Sequence, residues 1–146
     1  MLRFVLDTNV LVAGLASRHG ASFALIERLA ARKLRLLVST PLWLEYESVL
    51  KRPQIRAMHG LSPDEIDIVL DTLAMDVEPI TLHFLWRPQL RDAGDEMVLE
   101  LAVNGAADAL ITHTINDFKD AAVAFGLRVV KPADFLHELN TQGLAP

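Results

Sequence analysis

Short aliphatic runs alternate with longer segments of helical periodicity along this chain. Residues 3–6 are too few for a helix and predict a buried first strand, and residues 34–38 predict a second one. Between them, residues 22–33 carry apolar side chains at helical spacing. Strands that alternate with helices favour an α/β domain with a mainly parallel sheet.

The same patterns and the local start and stop signals predict the remaining elements. A hydroxyl before a proline predicts helix starts at Ser39 and Ser62. Helices are expected over residues 10–15, from 39 to about 52, from 62, over 92–105 and over 132–139. Strands are expected over residues 77–82, 109–112 and 128–130, and residues 85–90 are expected to form a loop.

Composition narrows the function classes. A chain of 146 residues with 51% hydrophobic residues fits one compact domain, expected to span residues 1–146. The absence of cysteine excludes disulfides, thiolate zinc sites and cysteine nucleophiles. A net charge of −5 argues against binding nucleic acid by bulk positive charge, but it is compatible with acids gathered around metal ions. Asp7 and Asn9 interrupt the apolar amino-terminal run, so we expect a soluble cytoplasmic protein without a membrane segment.

Asp7 follows the first predicted strand directly, in the sequence Leu6-Asp7-Thr8-Asn9. Ligands of open parallel sheets bind at the carboxyl ends of the strands. Burying an unpaired carboxylate costs several kcal/mol or forces it to take up a proton, so a charge at this position needs a reason. An Asx turn that closes the strand is an equally good explanation of the sequence alone.

Three other stretches place polar groups near the same end of the sheet. Glu45 lies beside the apolar stripe of its helix and should point toward the domain, although a boundary position on a solvated face is a simpler explanation. Asp92 and Asp95 resemble a helix cap, which accounts for one acid better than for three within five residues. Residues 112–117 leave a strand and enter a polar turn.

Together these stretches would bring acids from distant parts of the chain to one end of one sheet. Carboxylate oxygens and waters are the ligands that Mg²⁺ and Mn²⁺ prefer. Two such ions can activate a water and hold the leaving oxygen in phosphodiester hydrolysis. The sequence therefore predicts a metal-dependent hydrolase, on the condition that the fold makes these stretches converge.

The same residues resemble the PIN-domain nucleases, a family that includes the VapC-type toxins of bacterial toxin–antitoxin pairs. The resemblance covers nearly the whole chain and rests on four blocks in order. These are residues 5–12, Glu45-Tyr46 with Val49-Leu50, residues 91–102, and residues 106–118. It implies a three-layer α/β/α sandwich with an acidic pocket for Mg²⁺ or Mn²⁺, and endoribonuclease activity on single-stranded or loop RNA.

The resemblance also assigns roles residue by residue. Asp7, Glu45 and Asp95 match the three main acids of the family, and Asp92 is a frequent companion. The supporting positions, and those that would complete a fourth corner of the site, are Thr8, Asn9, Thr114, Asn116 and Asp117. Thr114 is a departure, because many members carry Asp or Asn there. A threonine hydroxyl can contact a metal-bound water but brings no charge.

Family resemblance further implies a homodimer or higher oligomer and a cognate antitoxin protein that silences the site. A PIN module that binds RNA or a protein partner with little or no catalysis is the alternative, favoured by Thr114. A phosphatase or receiver-like domain that uses Asp7 as a nucleophile is a weaker alternative, since no lysine falls at a strand end.

Overall fold

The structure is a computed structural model that describes residues 2–31, 34–83 and 92–141. Its strands are β1 (Arg3–Leu6), β2 (Arg35–Val38), β3 (Val77–Pro79), β4 (Ala109–Ile111) and β5 (Val129–Val130). Its α-helices are α1 (Thr8–Ala16), α2 (Ala21–Ala30), α3 (Thr40–Leu50), α4 (Pro53–His59), α5 (Pro63–Ala74), α6 (Ala93–Asn104), α7 (Lys119–Phe125) and α8 (Pro132–Thr141). A 3₁₀ helix covers Ile115–Phe118.

The five strands form one sheet in the order β3-β2-β1-β4-β5, and every pairing is parallel. This confirms the expected α/β class. The first strand lies in the centre, with β2 on one side and β4 on the other. All three central strands consist almost wholly of buried aliphatic or aromatic residues, as parallel strands covered on both faces require.

Helices cover both faces of this sheet. Phe4 of β1 contacts Phe135 of α8, with ring centroids 5.5 Å apart. Phe4 is level with Leu36, so Leu37 faces the opposite side of the sheet. A Cβ on Gly105, just after α6, would lie 3.0 Å from a methyl carbon of Leu37. Helices α8 and α6 therefore lie on opposite faces, and the three-layer α/β/α arrangement is confirmed.

Local signals explain most helix starts. Ser39 caps α3 by accepting a hydrogen bond from the Leu42 amide, with a proline in the first turn. Ser62 and Glu65 form a reciprocal capping box at the start of α5. At Pro53 the prediction was incomplete, because this proline also begins a new helix, α4, in which its fixed φ suits the first position.

One predicted strand was too long, and some elements were not predicted. The strand expected over residues 77–82 ends at Pro79, although the Ile80 amide still donates to the Val38 carbonyl at 2.8 Å. The 3₁₀ helix and α7 were not predicted. The loop expected over residues 85–90 lies outside the described residues. Among the residues that the structure describes, no helix is long and apolar enough to cross a membrane.

Candidate active site

Asp7 lies at the point where the strand order of the sheet reverses. The chain moves from β1 outward to β2 on one side and reaches β4 on the other. In open parallel sheets this reversal leaves a crevice at the carboxyl ends of the strands, which is where ligands bind. Asp7 directly follows β1 and is the N-cap residue of α1. Its amide donates to the carbonyl of Ile111 at the end of β4, at 2.9 Å, which joins the two sides of the crevice.

The carboxylate of Asp7 is 7% exposed and receives few hydrogen bonds for a buried charge. The hydroxyl of Thr112 donates to its Oδ2 at 2.7 Å, and the Thr8 backbone also stabilises the ionised form. Burial outweighs both donors and raises the pKa of Asp7, and the nearby charges of Asp117 and Asp92 raise it further. This electrostatic environment is not that of a solvated Asx turn.

Thr112 is the functional candidate that sequence reasoning did not select. It is fully buried and follows β4 as Asp7 follows β1. Its hydroxyl accepts from the Thr114 amide at 3.0 Å and from the Asn9 side-chain amide at 3.5 Å while it donates to Asp7. A threonine directly after a buried strand was the available signal, but the pairing of β4 with β1 had to be known to use it.

Asn9 and Thr114 complete this network through their hydrogen bonds to Thr112. The Asn9 side-chain amide donates through Nδ2 to the Thr114 hydroxyl at 3.4 Å, and its Oδ1 accepts from the His113 backbone amide at 3.3 Å. The hydroxyls of Thr112 and Thr114 lie 3.1 Å apart. Both residues therefore fix the geometry around Thr112. The His113 ring lies 3.0 Å from the Ser22 hydroxyl.

The amino terminus of α6 brings two more acids to the cluster. Asp92 caps this helix, and its Oδ1 accepts from the amides of Gly94 at 2.7 Å and Asp95 at 3.1 Å. The predicted capping role of Asp92 is thus confirmed. The environment of the Asp95 side chain is different. Partial burial, followed by the charges of Asp7, Asp92, Asp117 and Glu96, raises the pKa of Asp95 to about 6.

Glu45 reaches the same place from α3. A Cβ added to Gly94 would lie 3.0 Å from Oδ1 of Asp92 and 3.9 Å from Oε1 of Glu45. The two carboxylates therefore flank Gly94, and the missing side chain at this position leaves room for them. The next residue, Tyr46, is fully buried and donates its hydroxyl to the Leu6 carbonyl at 2.5 Å. Helix α3 is thereby fixed to the residue just before Asp7.

Asp117 and Asn116 differ in their relation to this cluster. Asp117 lies in the 3₁₀ helix, its amide donates to the Thr114 carbonyl at 3.0 Å, and its charge acts on both Asp7 and Asp95. Asn116 is exposed, and the contacts of the described residues do not connect it to the acids. The structure thus brings Asp117 to the site electrostatically and does not bring Asn116 there.

The donor chemistry suits a hard divalent cation. The cluster offers carboxylate oxygens from separate elements. Burial and the neighbouring acids raise the pKa of Asp7 and Asp95, and a bound cation would oppose both effects. Within residues 2–31, 34–83 and 92–141, however, no three His, Asp or Glu side chains stand as a ready-made metal-binding group. The residues therefore fit an ion that keeps several waters, as Mg²⁺ does, and binds directly to only some of these oxygens.

Fold and site together define an α/β protein with an acidic pocket at the switch point of a parallel sheet. A family model for the PIN domain matches residues 3–116, so the chain belongs to the PIN-domain family. Domains of this family are generally metal-dependent nucleases and typically use divalent metals. No curated protein matches the chain. Membership in a nuclease family also argues against the phosphoaspartate alternative.

Proposed function

We propose that this protein is a metal-dependent endoribonuclease that hydrolyses RNA phosphodiester bonds with Mg²⁺ or Mn²⁺ at the Asp7 pocket. One observation carries the proposal. Carboxylates from three distant stretches gather at the carboxyl end of β1. There the charges of Asp92 and Asp117, added to burial, raise the pKa of both Asp7 and Asp95. An arrangement that destabilises its own charges is expected where a cation or a reaction uses them.

Asp7, Glu45, Asp92 and Asp95 are the proposed metal-holding residues, with Asp7, Glu45 and Asp95 as the catalytic acids. When bound, the metal would activate water and neutralise charge on the scissile phosphate. Thr112 holds the Asp7 carboxylate through its hydroxyl, and Asn9 and Thr114 orient Thr112. Thr8 supports Asp7 through its backbone.

The fourth acidic position is assigned to Asp117. Thr114 brings no charge, and its hydroxyl is engaged with Asn9 and Thr112. Asp117 lies three residues further along and is the carboxylate whose charge acts most strongly on Asp7. Asp117 thus supplies the negative charge that threonine at position 114 does not.

A pair of glutamates on α3 provides a matched test. Glu45 points to Gly94 and Asp92, whereas Glu47 is exposed and lies 3.6 Å from Lys51. In cleavage assays on single-stranded RNA with Mn²⁺, Glu45→Gln should reduce the rate about tenfold or more, and Glu47→Gln should retain the parent rate. A chelator should abolish parent activity. Equal rates for the two variants, or cleavage that survives chelation, would contradict the proposal.

We also propose that the protein is the toxin component of a toxin–antitoxin pair, acts in the cytoplasm, forms a homodimer or higher oligomer, and is silenced by a cognate antitoxin. The resemblance to VapC-type toxins supports this role. Expression of the chain alone should arrest growth, and Asp7→Asn should not. If a short reading frame adjoins the gene, co-expression of its product should restore growth. Normal growth on expression of the parent chain would argue against a toxin.

A second candidate function is a PIN module that binds RNA or a protein without efficient catalysis. The neutral side chain of Thr114 and the lack of a ready-made metal group within the described residues favour it. Calorimetric titration with Mn²⁺ distinguishes the two functions. A folded protein that gives no binding heat and no RNA cleavage would favour the binding module.

A further inference from the structure

A groove opens beside the acidic pocket at the same end of the sheet. It lies between α3, the end of α5 and the residues that follow β2 and β3, with a volume of about 520 Å³. That volume is within the range of small-molecule sites. Among the described residues, those that line it carry no charge. Its walls are mostly apolar, and its floor includes Val38, Val77 and Ile80.

Trp43 is the residue that gives this groove a specific chemistry. It is half-buried at the groove wall, and its neighbour Leu44 is 58% exposed. Thr40 and Thr81 are exposed and place hydroxyl groups along the rim. A large aromatic face with hydroxyls beside it suits a flat, neutral, heteroaromatic ring.

Contacts link Trp43 directly to the position of the proposed chemistry. Its ring packs edge-on against Tyr46, with centroids 5.9 Å apart. Tyr46 in turn donates to the carbonyl of Leu6, the residue before Asp7. Because β2 adjoins β1, the groove and the acidic pocket lie side by side along the carboxyl end of the sheet. A strand of RNA bound at Asp7 needs only a few nucleotides to reach the groove.

We propose that this groove is a nucleobase subsite, in which one unpaired base of the RNA stacks on Trp43 while a phosphodiester a few nucleotides away lies at Asp7. This inference rests on the proposed ribonuclease function. It makes Trp43 a binding and specificity-determining residue, and it assigns the threonines at the rim to contacts with the edge of the base. A base held here would fix which bond reaches the carboxylates.

The test measures coupling between one base and Trp43. The Asp7→Asn variant, which should bind RNA without cutting it, is titrated with oligoribonucleotides that carry one abasic nucleotide at successive positions. An abasic nucleotide at one position should weaken RNA binding about tenfold, as loss of a stacked base typically does. In the Asp7→Asn, Trp43→Leu double variant the same position should have no further effect, while Trp43→Phe should retain it. Met58→Ala, an exposed apolar residue on α4, is the control.

A second measurement leaves the groove intact. The emission of 2-aminopurine placed at the sensitive position should fall when the Asp7→Asn protein binds, because the base stacks on an indole. The subsite would be refuted if an abasic nucleotide weakened RNA binding equally at every position, or if the sensitive position remained in the Trp43→Leu variant. The proposed function would still stand as long as the parent protein cleaved RNA. Loss of dimer formation in Trp43→Leu, with RNA coupling unchanged, would overturn it in favour of a protein contact. Absence of any RNA binding or cleavage would instead refute the proposed function.

Discussion

The charged side chains at the two ends of the sheet differ in their partners. At the amino end, Arg3 forms two hydrogen bonds to Glu78, at 3.1 and 2.6 Å, and its amide donates to Asp108. These contacts raise the pKa of Arg3 and lower that of Glu78, so each charge stabilises the other. At the carboxyl end, acids face acids, and the pKa values of Asp7 and Asp95 are raised.

This difference separates charges that are paired with one another from charges that the proposed cation would balance. Arg3 and Glu78 connect the first and third strands across β2 and need nothing else. Asp7 is nearly as buried as the surrounding core, yet Thr112 and a backbone amide are its main support. A protein keeps such an arrangement at a cost in stability, which is typical of functional sites.

The largest expected effect comes from Asp7→Asn. The amide can still accept from Thr112 but carries no charge for a cation. Loss of several kcal/mol of metal stabilisation corresponds to about a thousandfold in rate. RNA cleavage with Mg²⁺ or Mn²⁺ should therefore fall by about three orders of magnitude, while thermal unfolding shows equal or higher stability. Cleavage by this variant at the parent rate would remove Asp7 from the site.

Added Mn²⁺ should stabilise the protein only through the acids at the carboxyl end of the sheet. A ligand at about 100 times its Kd stabilises a folded protein by about 2.7 kcal/mol. Saturating Mn²⁺ should raise the unfolding free energy of the parent by about that amount. In Asp7→Asn the gain should fall below about 1 kcal/mol. Denaturant titrations with and without Mn²⁺ measure both values, and an equal gain in the two proteins would place the ion elsewhere.

Thr112→Val tests the support of Asp7 separately from its charge. The substitution keeps the shape but removes the donor to Oδ2 and the acceptor for the Thr114 amide. Groups that orient metal ligands typically contribute about 10- to 100-fold in affinity, so Mn²⁺ affinity should fall by that factor. Thr112→Ser should restore it. Thr114→Val should lower the Mn²⁺ affinity less than Thr112→Val does. An equal loss of affinity would show that the hydrogen-bond network acts as a unit.

Sequence reasoning identified the acids better than it identified their support. Asp7 after a short apolar strand and Asp92 as a helix cap are local patterns, and both are found as expected. The role of Thr112 depends on β4 pairing with β1, a contact between residues about a hundred positions apart. Local patterns carry no information on such pairings.

The same limit applies to the missed elements. Helix α4 begins at Pro53, which the local rule treats as a stop because proline disfavours helix in the preceding residue. Strand β3 is shorter than its hydrophobic pattern, because it pairs at the edge of the sheet with β2 only over Val77–Pro79. In both cases the tertiary partner decides the boundary.

A smaller effect is expected from pH. Because the folded-state pKa values of Asp7 and Asp95 are raised, the native state binds protons that the unfolded state has released. For Asp95 this occurs between its unfolded pKa of 3.8 and its folded pKa of about 6. Metal-free protein should therefore gain about 1 kcal/mol of stability as pH falls from 7.5 to 5, after allowance for solvent screening. Asp95→Asn should flatten this dependence in denaturant titrations. A steeper loss of stability toward pH 5 would contradict the raised values.

The smallest effect is expected at the amino end. Glu78→Gln removes a half-exposed ion pair, which typically contributes no more than about 1 kcal/mol. Stability should fall by that amount at pH 7, while Mn²⁺ affinity and RNA cleavage stay at parent values. The lowered pKa of Glu78 means that this contribution is present above its unfolded pKa near 4.5 and is lost as pH falls through the folded value. A change in Mn²⁺ affinity would show that the two ends of the sheet are coupled through β1 and do not act separately.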